Sequence, residues 1–333
     1  MLVLDGSAGV DWARPACLVG TDELVCGLVM SVACSRAALV ARWCGMGEAV
    51  GPATGAAGQD AGAVYALGSS LGESARLQRQ AEELAADSAA LLDRVGLRPG
   101  HSAIDLGCGP RGVLDMLADR VSPAGRAVGL DADPAHAAMA AEFAAGRGLR
   151  GVEIITADAR STGLPPGSFD LVHARTLLVN LPEPAEVAAE MTRLARPGGW
   201  VASMEPDTEH ALCYPPHPAF DRLCDIFTVA FRRNGADPWI GRRVPELLRR
   251  AGLDQVEVEA RVQMYPPGNS RRTIRLDLVR SMRPQVLEMG LATAAELDEL
   301  DAAARAHLDD PHTVVMSGLL FLARGRKPDH APA

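Results

Sequence analysis

The segment with the clearest potential chemistry is a glycine-rich stretch, Asp105-Leu-Gly-Cys-Gly-Pro-Arg-Gly112. Glycines let the backbone approach a ligand closely, and the last of them opens a helix whose free N–H groups favour a negative group. A G-x-G-x-x-G pattern on its own also fits NAD-binding folds. It therefore predicts a nucleotide-type cofactor without specifying which one.

Two carboxylates follow at the ends of predicted strands. Asp131 stands about 20 residues after the glycines, where a carboxylate can accept both hydroxyls of an adenosine ribose. Asp158 ends the next strand and is placed to accept the exocyclic amine of adenine. Either residue alone could be a helix N-cap. Together they favour a bound nucleoside.

Short apolar strands alternate with helices through the middle of the chain. The strands are predicted at 102–106, 126–130, 152–156, 169–173 and 200–204, and the helices at 73–96, 113–121, 134–146 and 184–194. Such alternation predicts a parallel sheet covered by helices on both faces. Ligands bind such sheets beyond the carboxyl ends of the strands, where the glycines and carboxylates would lie.

The alternation stops after Glu205. The remainder reads as a Pro-punctuated, partly helical segment (206–239), a helix (244–251), a strand (255–260), a helical stretch (273–308) and a last strand (314–323). The helical parts would cover the carboxyl edge of the sheet as a substrate lid. We expect an N-terminal extension of uncertain structure at 1–60, a cofactor-binding core at 61–205, and lid insertions with the last strands at 206–328.

Five motifs occur in order along the chain: Ile-Asp-Leu-Gly-Cys-Gly-Pro, Val-Gly-Leu-Asp131, Ala-Asp158-Ala-Arg, Ser-Phe-Asp170-Leu-Val-His-Ala-Arg and Leu-Ala-Arg-Pro-Gly-Gly-Trp200. This series, over about 65–328, resembles class I S-adenosylmethionine-dependent methyltransferases of the bacterial ubiquinone/menaquinone-biosynthesis type, methyltransferase domain type 11/25. The resemblance implies an α/β, Rossmann-like doubly wound sheet of seven strands, mostly parallel with an antiparallel last strand, plus helical lid insertions.

The resemblance also implies which residues bind S-adenosyl-L-methionine. Positions that match the family's motifs would contact its methionine part (Asp105, Gly107, Gly109), its ribose (Asp131, Ala132), its adenine (Asp158, Ala159) and its sulfonium end (Arg175). A segment before the core is similar to one whose Tyr65, Arg76 and Gln80 would fold over the methionine carboxylate. Arg111 departs from the family, which often has glycine there.

Methyl transfer is an in-line displacement at an activated carbon, so positioning and exclusion of water can supply much of the catalysis. A weakly acidic acceptor would need a base within hydrogen-bond reach. Glu205, expected to face the pocket after the fifth strand, is the first candidate, followed by His173 and His210. His173 lies in an apolar strand and could instead be a buried structural histidine.

Composition narrows the possible partners. The 333 residues carry a formal net charge of −9, which argues against a nucleic-acid surface. Short arginine pairs at 242–243, 249–250 and 271–272 are expected to be solvated or ion-paired. Seven scattered cysteines without CxxC spacing predict reduced thiols and no metal site.

No signal peptide is apparent, and the apolar stretch 24–40 is too interrupted for a membrane span. We therefore expect a soluble, cytoplasmic protein without a membrane span. The sequence leaves open whether it forms a homo-oligomer.

The leading hypothesis is methyl transfer to a hydrophobic small-molecule acceptor, in quinone-like or specialised metabolism. One alternative is a methyltransferase fold that catalyses a cyclisation or acts as a binding module, because fold does not determine function. A second, less favoured, is an NAD(P)-dependent oxidoreductase, since no Tyr-x-x-x-Lys set appears. The sequence leaves open the acceptor and whether oxygen, nitrogen or carbon is methylated.

Overall fold

A seven-stranded sheet forms the centre of the structure, a computed structural model that describes residues 71–329. Its strands are β1 (Ser102–Leu106), β2 (Arg126–Asp131), β3 (Val152–Thr156), β4 (Phe169–Arg175), β5 (Ala195–Asp207), β7 (Asp254–Arg261) and β9 (Leu319–Arg326), in the order β3-β2-β1-β4-β5-β9-β7. Strands β1 to β5 pair in parallel, and β9 is antiparallel to both of its neighbours. The predicted Rossmann-like sheet with its antiparallel last strand is confirmed.

Helices cover both faces of this sheet, as a parallel sheet requires. They are α1 (Leu71–Glu83), α2 (Ala85–Val95), α3 (Leu114–Val121), α4 (Pro134–Gly146), α5 (Pro184–Leu194) and α7 (Ile240–Arg250). The central strands are buried on both sides: Ile104 of β1 and Val172 of β4 lie on one face, Ala103 and Leu171 lie on the other, and none of the four has exposed surface. Burial on both faces explains why these strands read as continuous apolar runs.

The register brings the ends of the central strands level. Leu106 of β1 pairs with Leu130 of β2 on one side and with Ala174 of β4 on the other. The residues that follow these three positions therefore lie side by side along the carboxyl edge. This edge is where the glycine-rich segment and Asp131 were expected to meet.

A second layer of elements lies after β5. It consists of helices α6 (Pro218–Arg233), α8 (Ile274–Ser281), α9 (Arg283–Glu288) and α10 (Ala294–Asp309), with a two-stranded sheet of β6 (Leu212–Tyr214) and β8 (Val314–Met316). Helix α6 packs against α8, α9 and α10. We call these elements the lid; the division of the chain into core and lid at residue 205 stays a prediction.

Two predicted elements are divided in the structure. The helix expected over 73–96 is two helices, α1 and α2, with Leu84 between them. The last strand, expected over 314–323, is wrong as one element, because β8 pairs with β6 while β9 pairs with β5 and β7. Gly318 lies at the break, where an added Cβ would be only 2.4 Å from the carbonyl oxygen of Asp207.

Within residues 71–329, no helix combines the length and apolarity that crossing a membrane would require. The predicted extension, 1–60, and Tyr65 lie outside the described residues.

Candidate functional site

A cavity of about 630 Å³ opens at the carboxyl edge of the sheet, between the glycine-rich segment and the lid. Its wall includes all the predicted cofactor-binding residues that the structure describes: Arg76, Gln80, Asp105, Gly107, Gly109, Asp131, Ala132, Asp158, Ala159 and Arg175. The sequence therefore identified one wall of one cavity, and the individual roles of these residues stay predictions.

Asp105 fixes the shape of the glycine-rich segment. Its buried carboxylate accepts the N–H of Val113 at 3.0 Å through Oδ2, and Oδ1 lies 2.7 Å from Nδ1 of His173. Gly112 packs directly against it: φ is +56° there, and an added Cβ would lie 2.2 Å from Oδ2. Asp105 thus supports the segment from beneath, with both oxygens occupied by the protein.

Asp131 holds the same segment from the neighbouring strand. Its Oδ2 accepts the N–H of Gly109 at 2.8 Å, and Oδ1 accepts the N–H of Asp133 at 2.9 Å. A carboxylate offers about four acceptor sites, so two remain for the hydroxyls of a ribose. His136 lies 3.8 Å from Oδ1, and its interaction with the Asp131 side chain raises the pKa of His136.

Asp158 is already paired within the protein. Arg160 donates to its carboxylate through Nη2 at 2.7 Å and through Nε, and also through its backbone N–H at 2.8 Å. These hydrogen bonds from Arg160 lower the pKa of Asp158, although burial opposes them. The carboxylate is therefore an ionised acceptor at the cavity wall, paired with Arg160.

The N-terminal helices are tied to the cavity by polar contacts. On α1, Arg76 donates to Glu73 at 2.8 Å and to Gln80 at 2.7 Å, and Gln80 donates to Thr176 at 3.2 Å. Arg175, buried at the end of β4, donates to the Ser88 hydroxyl on α2 and, at 3.1 Å, to the carbonyl of Gly112. Burial lowers the pKa of Arg175. Its guanidinium joins α2 to the glycine-rich segment.

The three predicted catalytic residues lie away from the cavity wall. His173 is fully buried beneath Asp105, and His210 is exposed in the turn after β5. Glu205 is fully buried as well, so the expectation that it faces the pocket is wrong. The physical reason is local: its carboxylate accepts the N–H groups of Leu177, Leu178 and Val179, at 3.0, 3.0 and 3.2 Å.

Those N–H groups begin a short 3₁₀ helix, Leu178–Asn180, and would otherwise lack partners. Leu177 and Val179 both line the cavity. Glu205 therefore positions part of the wall without reaching a ligand. Burial raises the pKa of its carboxyl to about 7, against the hydrogen bonds from the backbone.

The opposite wall comes from the lid and is largely apolar. Phe220, Phe227 and Phe231 line the cavity, whereas Tyr214 is exposed and Trp239 lies elsewhere. The cavity wall also contains polar side chains that sequence reasoning missed: Thr176, which follows β4, and Gln263, Tyr265, Arg271 and Arg275, which lie between β7 and the end of α8.

The arginine pair at 271–272 is not a solvated face. Arg272 is buried and donates to backbone carbonyls of Tyr265, Leu308, Asp310 and Thr313, while Arg271 pairs with Glu83 on α1. One signal was available in the sequence. Arg275 precedes Leu278 and Val279 by three and four residues, so it shares their apolar helix face.

Gly112→Ala should destabilise the protein more than Gly148→Ala, because only the first adds a clash to the cost of positive φ. At Gly148 φ is +64° and no atom lies within 4 Å of an added Cβ. We expect losses of unfolding free energy of roughly 2–4 kcal/mol for Gly112→Ala and about 1 kcal/mol for Gly148→Ala. Urea unfolding measures both. Equal losses would contradict the packing of Gly112 on Asp105.

Glu205→Gln should change the pH dependence of stability. The carboxyl pKa rises from 4.5 to about 7 on folding, so the folded state binds the proton more tightly. Ionisation between about pH 4.5 and pH 7 therefore destabilises the wild type. As pH rises through this range, the wild type should lose up to about 3 kcal/mol of unfolding free energy relative to the variant, and the difference should stay constant at higher pH. Urea unfolding from pH 5 to pH 8 tests this. A pH-independent difference between the two proteins would refute it.

Comparison with known proteins finds a family model that matches part of this chain. Residues 104–203 match the model of the methyltransferase domain family. Nocamycin O-methyltransferase of Saccharothrix syringae is 44% identical over 117 residues, which cover 35% of this chain and 41% of that protein. Demethylmenaquinone methyltransferase of Geobacillus stearothermophilus is 31% identical over 115 residues, covering 34% of this chain and 49% of that one.

The chain thus spans less than half the length of these relatives. A solved structure of a putative methyltransferase from Bacillus halodurans C-125 has the same fold, with a TM-score of 0.50 at 18% identity over 73% of this chain and 99% of that one. The resemblance inferred from the motifs is confirmed for this part of the chain: residues 104–203 match a methyltransferase domain family, and the relatives that match include nocamycin O-methyltransferase and a demethylmenaquinone methyltransferase.

Proposed function

We propose that this protein transfers the methyl group of S-adenosyl-L-methionine to a hydrophobic small molecule. One observation carries the proposal: a single cavity has the glycine-rich segment and the strand-end carboxylates on one wall and the phenylalanines of the lid on the other. A cofactor and an acceptor can therefore meet in one space. Two of the relatives are methyltransferases named for nocamycin and demethylmenaquinone, which supports a small-molecule acceptor.

The residues present fit this cofactor. An added Cβ at Gly109 would meet no atom closer than 4.0 Å, so the backbone there borders open space that a ligand can fill. Two acceptor sites of the Asp131 carboxylate are not used by the protein, so they can accept hydrogen bonds from ribose hydroxyls. Arg76 and Gln80 on α1 supply donors for a carboxylate such as that of methionine.

The cofactor, when bound, would supply a methyl group activated by the sulfonium charge. What this chain contributes is orientation and exclusion of water. The glycine-rich segment is held by Asp105 and Asp131, the wall at Leu177 and Val179 by Glu205, and the lid closes the apolar side. Asp207 also lines the cavity, but its carboxylate is ion-paired with Arg242, so it is a poor base. Positioning is thus the main catalytic effect that we assign to these residues.

The proposal is tested in two steps. Calorimetric titration should show binding of S-adenosylhomocysteine and none of NADH. Transfer of labelled methyl from S-adenosylmethionine to a panel of quinones and aromatic polyketides should then follow. Binding of NADH without binding of S-adenosylhomocysteine would overturn the cofactor assignment. Binding of S-adenosylhomocysteine without any methyl transfer would instead favour a cyclase or a binding module.

Asp131→Asn should weaken S-adenosylhomocysteine binding by about 1–3 kcal/mol, which is roughly 5- to 150-fold in Kd. The variant loses the negative charge of the carboxylate that accepts the N–H of Gly109 and would accept the ribose hydroxyls. Asp170→Asn is the matched control, since Asp170 accepts the N–H of Ser102 at the other end of the sheet, outside the cavity wall. Its Kd should not change. An unchanged Kd for Asp131→Asn would refute the ribose role.

A further inference from the structure

One buried cation on the lid wall is left largely without partners. Arg275 of α8 lines the cavity and is 7% exposed. Within residues 71–329, its Nε and Nη1 make no hydrogen bond, and Nη2 has a long contact of 3.4 Å to the carbonyl of Thr208. Its guanidinium carbon lies 4.3 Å from the centre of the Phe227 ring, within the range of a cation–π contact.

The two neighbouring arginines, in contrast to Arg275, have protein partners. Arg271 has Glu83 at 2.8 Å, and Arg272 donates to backbone carbonyls through all of its nitrogens. No ion pair among the described residues includes Arg275. The thiol of Cys224 interacts with it, but burial raises the pKa of that thiol to about 11, so it stays neutral and does not balance the charge.

A guanidinium remains protonated at neutral pH, because its ordinary pKa exceeds 12. Burying such a charge without a counter-charge is unfavourable, and a carboxylate with matched hydrogen bonds removes most of the penalty. Burial accordingly lowers the pKa of Arg275. The group is thus prepared for an anion that enters the cavity.

The anion belongs to the acceptor side of the cavity. The groups around the guanidinium, at Thr208, Cys224 and Phe227, all lie on the segment after β5. The predicted cofactor-binding residues lie before it, between Arg76 and Arg175. A ligand carboxylate at Arg275 would therefore sit among the phenylalanines and not against the glycine-rich segment.

We propose that the acceptor is a hydrophobic carboxylic acid whose carboxylate pairs with Arg275 while its rings pack on Phe220, Phe227 and Phe231. This narrows the acceptor class of the proposed function and rests on it. Arg275 is a substrate-binding residue in this view. It selects acids over neutral molecules of the same shape, because an amide cannot supply the counter-charge.

The test uses the full chain saturated with S-adenosylhomocysteine and two matched pairs of probes. These are anthraquinone-2-carboxylic acid with its carboxamide, and 2-naphthoic acid with its carboxamide. By calorimetric titration at pH 7.5, at least one acid should bind about 10- to 100-fold more tightly than its amide. Arg275→Met should abolish this preference, and Arg275→Lys should retain part of it.

Arg280→Gln is the matched control. Arg280 lies on the same helix, is exposed and pairs with Asp301, so the preference for the acid should persist in this variant. A second readout separates ligand binding from a structural role. Without ligand, the unfolding temperature of Arg275→Met should equal or exceed that of the wild type, since an unbalanced buried charge has been removed.

The outcomes distinguish this inference from the proposed function. If S-adenosylhomocysteine does not bind the wild type, the proposed function fails. If it binds but acids and amides bind equally, or neither acid binds, the inference about Arg275 alone is overturned. A large loss of stability in Arg275→Met with the acid preference intact would likewise overturn it.

Discussion

The rest of the site depends on how one buried carboxylate, Asp105, is satisfied. One oxygen accepts the N–H of Val113 and the other meets His173, so the end of β1, the start of the next helix and β4 are joined at a single point. Because Gly112 packs against the same group, the segment between them has little freedom. Asp131 then takes the N–H of Gly109 from the side. These contacts fix the conformation of the glycine-rich backbone, and its side toward the cavity stays free for a ligand.

Glu205 performs the equivalent task where the core meets the lid. Its carboxylate accepts hydrogen bonds from three consecutive backbone N–H groups, so the cavity wall after β4 is anchored to the end of β5. An ionised carboxylate with several backbone donors is well satisfied, yet desolvation outweighs them here and raises its pKa to about 7. The residue that looked most like a base from its position is thus part of the framework. If the cavity binds the proposed cofactor and acceptor, catalysis would come mainly from the placement of these two ligands.

Sequence reasoning succeeded where a local pattern decides the structure. The strands Ser102–Leu106 and Val152–Thr156 and the helix Pro134–Gly146 have the predicted bounds, since short apolar runs flanked by Gly, Pro and Asp leave few other choices. The cavity wall at the glycine-rich segment was predictable for the same reason, as it follows from strand ends in a parallel sheet. Glu205 was placed wrongly because its partners are backbone groups of Leu177–Val179, which no side-chain pattern reveals. The division between β8 and β9 depends on pairing with distant strands.

The lid was the least predictable part, and this has a physical cause that bears on how such a site can change. Buried groups such as Arg272 hold the lid elements to one another and to the segment before them, since the partners of Arg272 are carbonyl oxygens of Tyr265, Leu308, Asp310 and Thr313. Backbone carbonyls are present whatever the side chains are, so the lid can keep its internal arrangement while its cavity-facing residues vary. The glycine-rich segment has no such freedom, because Gly112 and Asp105 constrain each other. The chain therefore separates a constrained wall at the glycine-rich segment from a lid wall whose side chains can change without altering the sheet.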